Sequence, residues 1–224
     1  DRVSTATGID VTVLEESEEA RLTYLAVQGL LEARGILAAG NVAVLEIGSG
    51  QSILLYIRDG KVTVAQSFHT GALRTHELVE AGGAAAGPRL KGVLKAYAMD
   101  LVEQVQQLIP RDKVAALVVM GAGARFAAEQ AGEAPAGEAG LVAAPAAKLA
   151  DLADRVAVLD PARLVKAHKL TYQDAETVAP AVMSIAQAAR ALKVKEVLIA
   201  AATLRDGLLR ELAMREHRSA GFDE

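Results

Sequence analysis

From residue 42 onward, short runs of β-branched and other apolar residues alternate with stretches of helical period. Residues 42–47, 53–57 and 62–68 are apolar runs of strand length. Gly48, Ser49 and Gly50 make a tight turn after the first run, and Asp59-Gly60, a strong hairpin signal, joins the second to the third. Pro88 opens a long helix to about residue 108, with Leu90, Leu94, Leu101 and Val105 in register. Residues 114–120 read as a strand, and Gly121-Ala122-Gly123 leads from it into a short helix. Residues 131–147, rich in Gly, Ala and Pro, read as a loop. Residues 161–168 form a small helix. Thr171 caps a helix over 173–192, interrupted by Pro180. A last strand over 194–199 and a last helix over 204–216 follow. Leaving aside the small helix over 161–168, the predicted order is βββαβααβα. Three consecutive hairpin-linked strands followed by helix-separated strands is the ribonuclease-H-like topology, half of every actin-like ATPase. The expected class is α/β, a mixed sheet with helices on both faces.

Ahead of this unit, residues 9–14 alternate apolar and polar and suit a short strand. Ser17 caps a helix whose first turn carries Glu18 and Glu19, favourably placed for the helix dipole, and Gly35 ends it. The expected division is 1–34, the end of a preceding half and a crossing helix, and 35–224, a second actin-like (ribonuclease-H-like) domain.

Composition narrows the chemistry. The chain has 224 residues, 52% hydrophobic but only 3% aromatic and without Trp, so its core is Ala, Val, Leu and Ile. A net charge of -4 argues against bulk nucleic-acid binding. No apolar stretch approaches the roughly 20 residues of a membrane span. With no Cys there is no disulfide framework, thiol catalysis or Cys-type zinc site, which suits a cytoplasmic protein. The four His show no metal-ligand spacing. The start, Asp1-Arg2-Val3-Ser4, lacks an initiator Met and reads as the middle of a longer protein.

Three segments could carry chemistry. In Glu46-Ile47-Gly48-Ser49-Gly50-Gln51-Ser52, glycines allow backbone N–H groups to approach an anion, and a carboxylate at the strand end could hold a divalent cation. An ordinary glycine hairpin reads the same way. Gly121-Ala122-Gly123 before a helix is an anion site or a plain connection. Glu18 and Glu19 are catalytic acids or solvated capping residues.

In order, these segments resemble the exopolyphosphatase / guanosine pentaphosphate phosphohydrolase (Ppx/GppA) family. The resemblance runs from Thr7-Gly8-Ile9-Asp10-Val11 through Glu18-Glu19-Ala20-Arg21-Leu22, Glu46 to Ser52, Gly121-Ala122-Gly123 and Ala175-Glu176-Thr177 to Leu204-Arg205-Asp206-Gly207-Leu208-Leu209. It implies the second half of an actin-like pair whose cleft hydrolyses terminal phosphate of polyphosphate or guanosine pentaphosphate with a Mg2+-type cation. The missing N-terminal half would complete the cleft, and this chain alone would be inactive. The apolar surface left uncovered makes a homodimer or domain exchange an expectation. By resemblance Glu19 is the general base and Glu46 the metal-associated acid. Gly48, Ser49, Gly50 and Ser52, with Gly121 and Gly123, bind phosphate. The family's D-x-G-G-G-S-T-E departs here: Glu46 replaces Asp, Ser49 a Gly, Gln51 the Ser, and Ile53 the closing acid. These losses support a second reading, a catalytically degenerate module that binds a phosphorylated ligand or regulates. A third, an actin-like small-molecule kinase, would need a Gly-Gly-Thr-like turn that Gly121-Ala122-Gly123 only approximates.

Overall fold

The computed structural model describes residues 2–84, 86–109, 114–133 and 140–220, with side chains to Arg215. A short helix α1 (Arg2–Thr7) and an extended segment precede α2 (Glu16–Ala33) and α3 (Ile36–Ala39). Then come β1 (Val42–Ile47), β2 (Ser52–Arg58), β3 (Lys61–Phe68), α4 (Ala72–Ala81) and α5 (Gly87–Leu108). The chain continues with β4 (Ala116–Met120), α6 (Ala122–Ala131), β5 (Leu141–Pro145), α7 (Ala146–Val156) and α8 (Pro161–His168). It closes with α9 (Tyr172–Ala191), β6 (Glu196–Ala200) and α10 (Leu204–Ala220).

The six strands form one sheet in the order β3-β2-β1-β4-β6-β5. β1, β4 and β6 run parallel, while β2, β3 and β5 are antiparallel to their neighbours. This is the ribonuclease-H-like arrangement with an added edge strand. Asp59 and Gly60, at φ 50° and 73°, make the two-residue turn that matches the twist of β2 and β3.

Alternation along the strands assigns two cores. Ala43, Leu45, Leu54, Tyr56, Leu117 and Val119 face a layer built from α4 to α9. Val42, Val44, Ile53, Leu55 and Val118 face α2 and α3. β2 is therefore an unbroken apolar run, as a strand buried on both faces must be. α10 lies on α2: a Cβ on Gly207 would stand 2.0 Å from Leu22 O, so only glycine permits that approach.

Several expectations are corrected. Residues 9–14 form no strand; Ile9 is 63% and Val13 85% exposed, and alternation alone cannot supply a neighbouring strand. The helix over Glu18 and Glu19 is capped at Glu15, not Ser17, and has no side-chain cap bond. Residues 141–147, expected to be loop, are β5 and the start of α7; residues 134–139 of that stretch lie outside those described. β5 pairs with β6 from Leu141↔Ala200 to Pro145↔Glu196, so sheet pairing overrides weak strand propensity. α3, α4 and α7 also add to the predicted order. Pro180 does not interrupt α9. A proline in a helix interior costs about 3 kcal/mol. α9 is buried along most of its length among α4 to α8, and that packing outweighs it.

Candidate active site

The parallel strands β1, β4 and β6 end side by side, and each continues into a turn, Gly48, Gly121 or Ala201. A crevice outside the carboxyl ends of parallel strands is the usual ligand position in such sheets. Here it is an open cleft of about 490 Å³, walled by Glu46, Gly48, Ser49, Gly121 and Gly123, by Thr177 within α9 and by residues 202–205 where α10 begins.

The first turn is tied to α4. Gly48 N–H donates to Gln51 O at 3.0 Å. Gly48 O accepts from Ala72 N–H at 2.8 Å, and Ser49 O accepts from Leu73 and Arg74 N–H. The first amides of α4 therefore hold the turn and do not point at a ligand. Ser49 and Gly50 are exposed, and their N–H groups have no intramolecular acceptor among the described residues. Ser52 is fully buried, and its hydroxyl donates to Thr70 O at 2.6 Å. It braces the turn from behind.

The second turn depends on glycine twice. Gly121 has φ 109°, and a Cβ there would meet Ile47 O at 2.3 Å. A Cβ on Gly123 would meet Ala181 Cβ at 2.3 Å, so its absence lets α6 sit against α9. The N-terminus of α6 thus opens on the cleft, where backbone N–H groups and the helix dipole favour an anion.

Two carboxylates lie on the α2 side. Glu46 Oε2 accepts from Thr23 Oγ1 at 2.9 Å, and Thr23 is fully buried. Glu19, one turn before Thr23, accepts from Gln51 Nε2 at 2.5 Å. Residues 19 and 23 share one helix face and clamp α2 to both ends of the β1–β2 turn. Burial pushes the Glu46 carboxyl above its ordinary range; the Thr23 bond opposes this, and the Glu19 charge adds to it. Ile53 pairs directly with Glu46 across the two strands and is 1% exposed. Apolar surface therefore occupies the place where a second acid was expected.

The structure thus gathers Glu46, Gly48, Ser49, Gly121 and Gly123 into one wall, with Glu19 beside it. Gly50 sits at the tip of the turn and Ser52 beneath it. Sequence reasoning gave no site role to Thr23, Thr177, Arg125 or Arg205, although Thr177 and Arg205 stand in the motif segments. The last three line the cleft, and both arginines are exposed with no ion-pair partner among the described residues. Arg125 was signalled by its place just after a glycine turn. Thr23 carried no signal, because a buried threonine reads as core. The motif arginine, Arg21, is structural: it pairs with Glu18 at 2.7 Å and with Glu211 of α10 at 2.5 Å.

Among the described residues no cluster of three or more His, Asp or Glu is placed to hold a metal ion. A protein cage for a cation does not fit. An ion held chiefly by phosphate oxygens and water, with one or two carboxylates, does fit Glu46 and Glu19.

The glycine turns, the α2 carboxylates and the α10 segment occupy the order of one family's motifs, and a model of the Ppx/GppA phosphatase family matches residues 1–216. The chain belongs to the Ppx/GppA phosphatase family. Its fold is similar to the Aquifex aeolicus Ppx/GppA family member, at 17% identity and TM-score 0.72, over 96% of this chain and 68% of that one. It is likewise similar to an exopolyphosphatase from Cytophaga hutchinsonii, at 14% identity and TM-score 0.75, over 94% of this chain and 68% of that one. No curated protein matches. This chain spans 68% of the length of each of those two structures.

Proposed function

We propose that this chain is the second half of a Ppx/GppA phosphohydrolase that removes terminal phosphate from polyphosphate or guanosine pentaphosphate. The observation that carries the reading is Glu19, held by Gln51 beside a cleft lined by two glycine turns. Phosphoryl transfer asks a protein for positioning and charge neutralisation more than for covalent chemistry. The α6 N-terminus, Ser49, Arg125 and Arg205 offer donors and positive charge for phosphate oxygens. Glu19 accepts a proton from the attacking water as its oxygen bonds to the terminal phosphorus. The bridging P–O bond breaks, releasing inorganic phosphate and a chain shorter by one unit. A Mg2+-type cation, held by Glu46 together with substrate oxygens, would neutralise charge on the transferred group.

The relatives of known structure extend beyond this chain, and we assign the remainder to a first half that closes the other side of the cleft. Residues 9–14, exposed and alternating, and Leu209 and Leu212 on α10 are the surfaces it would cover. The isolated chain is then inactive, and a homodimer that covers the same surface is its alternative state.

A second reading rests on Ile53. With an aliphatic side chain opposite Glu46, the cleft retains phosphate recognition while losing turnover, as a ligand-binding or regulatory module. One experiment decides: phosphate release from long-chain polyphosphate by the full-length protein, with and without magnesium, using Glu19→Gln as control. Release lost in the variant establishes the hydrolase. A folded protein that releases none and still binds polyphosphate establishes the module.

A further inference from the structure

Behind the phosphate turn lies a second pocket that the hydrolase does not use. It is about 260 Å³ in volume and is enclosed by α4, α5, α8 and α9. Its floor is apolar: Val79, Leu90, Leu94 and Leu164 are all buried. Its polar groups converge at one end. His76 Nε2 is buried and has no hydrogen-bond partner. Two carboxylate oxygens flank it, Glu80 Oε1 at 3.8 Å and Glu176 Oε1 at 3.9 Å. Both distances exceed hydrogen-bond length. Buried polar atoms are nearly always satisfied, so an orphan nitrogen between two acids at the end of an apolar pocket calls for a group that is absent. Asp160, also in the wall, is already engaged: it caps α8 through Arg163 N–H and pairs with the Arg163 side chain. Glu80 and Glu176 are the acids left without a cation other than His76. Tyr172 stands at the mouth, 58% exposed, offering an aromatic face.

We propose that this pocket binds a small organic amine, with its ammonium between Glu80, Glu176 and His76 and its apolar tail on the leucine floor. A primary ammonium has three donors and no acceptor. The site offers two carboxylates and, in the tautomer protonated at Nδ1, one ring nitrogen: three acceptors for three donors. Glu80 is largely exposed and free to swing inward over the head group. Pockets for small ligands are built in this way, mostly apolar with a few convergent polar groups, and this one suits a ligand below drug size. An alkyl carboxylate of the same length would meet two negative charges and is excluded.

The site is coupled to the cleft by shared elements. α4 begins at Ala72, bonded to Gly48 O, and reaches the pocket through His76. α9 places Glu176 in the pocket and the next residue, Thr177, in the cleft wall.

The test is independent of any phosphatase activity. Titrate n-hexylamine, phenethylamine, n-hexanol and hexanoate into the protein, following the His76 ring by nitrogen-15 NMR. The amines should shift the His76 signal saturably, and hexanol and hexanoate should not. Glu176→Gln and Glu80→Gln should each weaken hexylamine by about tenfold, the worth of one charge-assisted hydrogen bond. Glu80 is 64% exposed, so its variant keeps the fold intact. Absence of saturable amine binding, equal binding of hexanoate, or amine binding that both variants leave unchanged overturns the proposal.

Discussion

Glu46 of β1 and Ile53 of β2 are direct cross-strand partners, both turned toward α2. One carboxylate thus meets buried apolar surface where a second acid would complete a cation site. Restoring that acid gives the first prediction. Ile53→Glu should raise Mg2+ affinity, measured by calorimetry, and Ile53→Gln should not. Without the cation the same change should lower stability by about 3 kcal/mol, because a second charge is then buried unpaired. Equal Mg2+ affinity in the Glu and Gln variants would show that the position does not face the ion.

The same burial gives stability a dependence on pH. The folded-state pKa of Glu46 is raised above its ordinary value of 4.5, first by burial, then by the Glu19 charge, against the Thr23 bond. Below the unfolded value Glu46 is protonated in both states and carries no penalty. As pH rises through the folded value, the folded state must ionise a buried group, and stability falls. Glu46→Gln should remove this fall. Thermal melts of both proteins from pH 4.5 to neutrality should converge at the acid end and separate upward, the variant being the more stable at neutral pH.

Much of this site could be read from the chain. β1 was legible because Val42 to Ile47 is short, apolar and bounded by glycine. The Asp59-Gly60 turn was legible because few residue pairs adopt two positive φ values. The β5 strand was hidden because three of its five residues, Ala143, Ala144 and Pro145, carry little strand propensity of their own; pairing with β6 supplies the rest. Residues 9–14 misled in the opposite sense, having the alternation of a strand and no partner among the described residues. The cleft acids were found as motif members. The roles of Thr23 and Gln51, which hold them, were not legible, since side-chain bonds between α2 and the β1–β2 turn join residues 23 and 32 positions apart.

Gly121 and Gly92 should respond oppositely to alanine. At Gly121 the backbone has φ 109°, and a Cβ would collide with Ile47 O at 2.3 Å. Gly121→Ala should cost about 3 kcal/mol in urea unfolding, from backbone strain and displacement of the β4–α6 turn. At Gly92, within α5, a Cβ meets nothing within 4 Å. Gly92→Ala should stabilise by about 0.5–1 kcal/mol through helix propensity alone. A neutral result at Gly121 would mean that the β4–α6 turn relaxes freely, and that its geometry is not demanding.

Asp206 caps α10. Its Oδ2 accepts from both Thr203 N–H at 2.7 Å and Thr203 Oγ1 at 2.6 Å, the reciprocal half of a capping box. These bonds from Thr203 hold its pKa below the ordinary 3.8. With a depressed folded-state pKa, the stabilisation is present above the unfolded value and is lost as pH falls through the folded one. Asp206→Ala should cost about 1 kcal/mol at neutral pH. The gap from the parent protein should narrow in acid. Circular dichroism melts at two pH values measure both effects.

In the proposed hydrolysis Glu19 would be the reacting group and Gln51 a positioning group. Glu19→Gln keeps the shape and removes the base, so the full-length protein should lose phosphate release by about 10²–10⁴-fold. Gln51 touches no substrate in this scheme; it fixes the Glu19 carboxylate through one 2.5 Å bond. Gln51→Ala should therefore lower kcat by a smaller factor, about tenfold, and leave KM unchanged. Gln51→Asn, whose amide falls one methylene short, should not restore the rate. If Gln51→Ala raised KM and spared kcat, Gln51 would be a phosphate ligand on the turn, and the bond to Glu19 would be a resting contact that substrate replaces. If Glu19→Gln kept full activity, Glu19 would be only a clamp between α2 and the turn, and the base would have to be sought elsewhere, first in the half proposed to close the cleft.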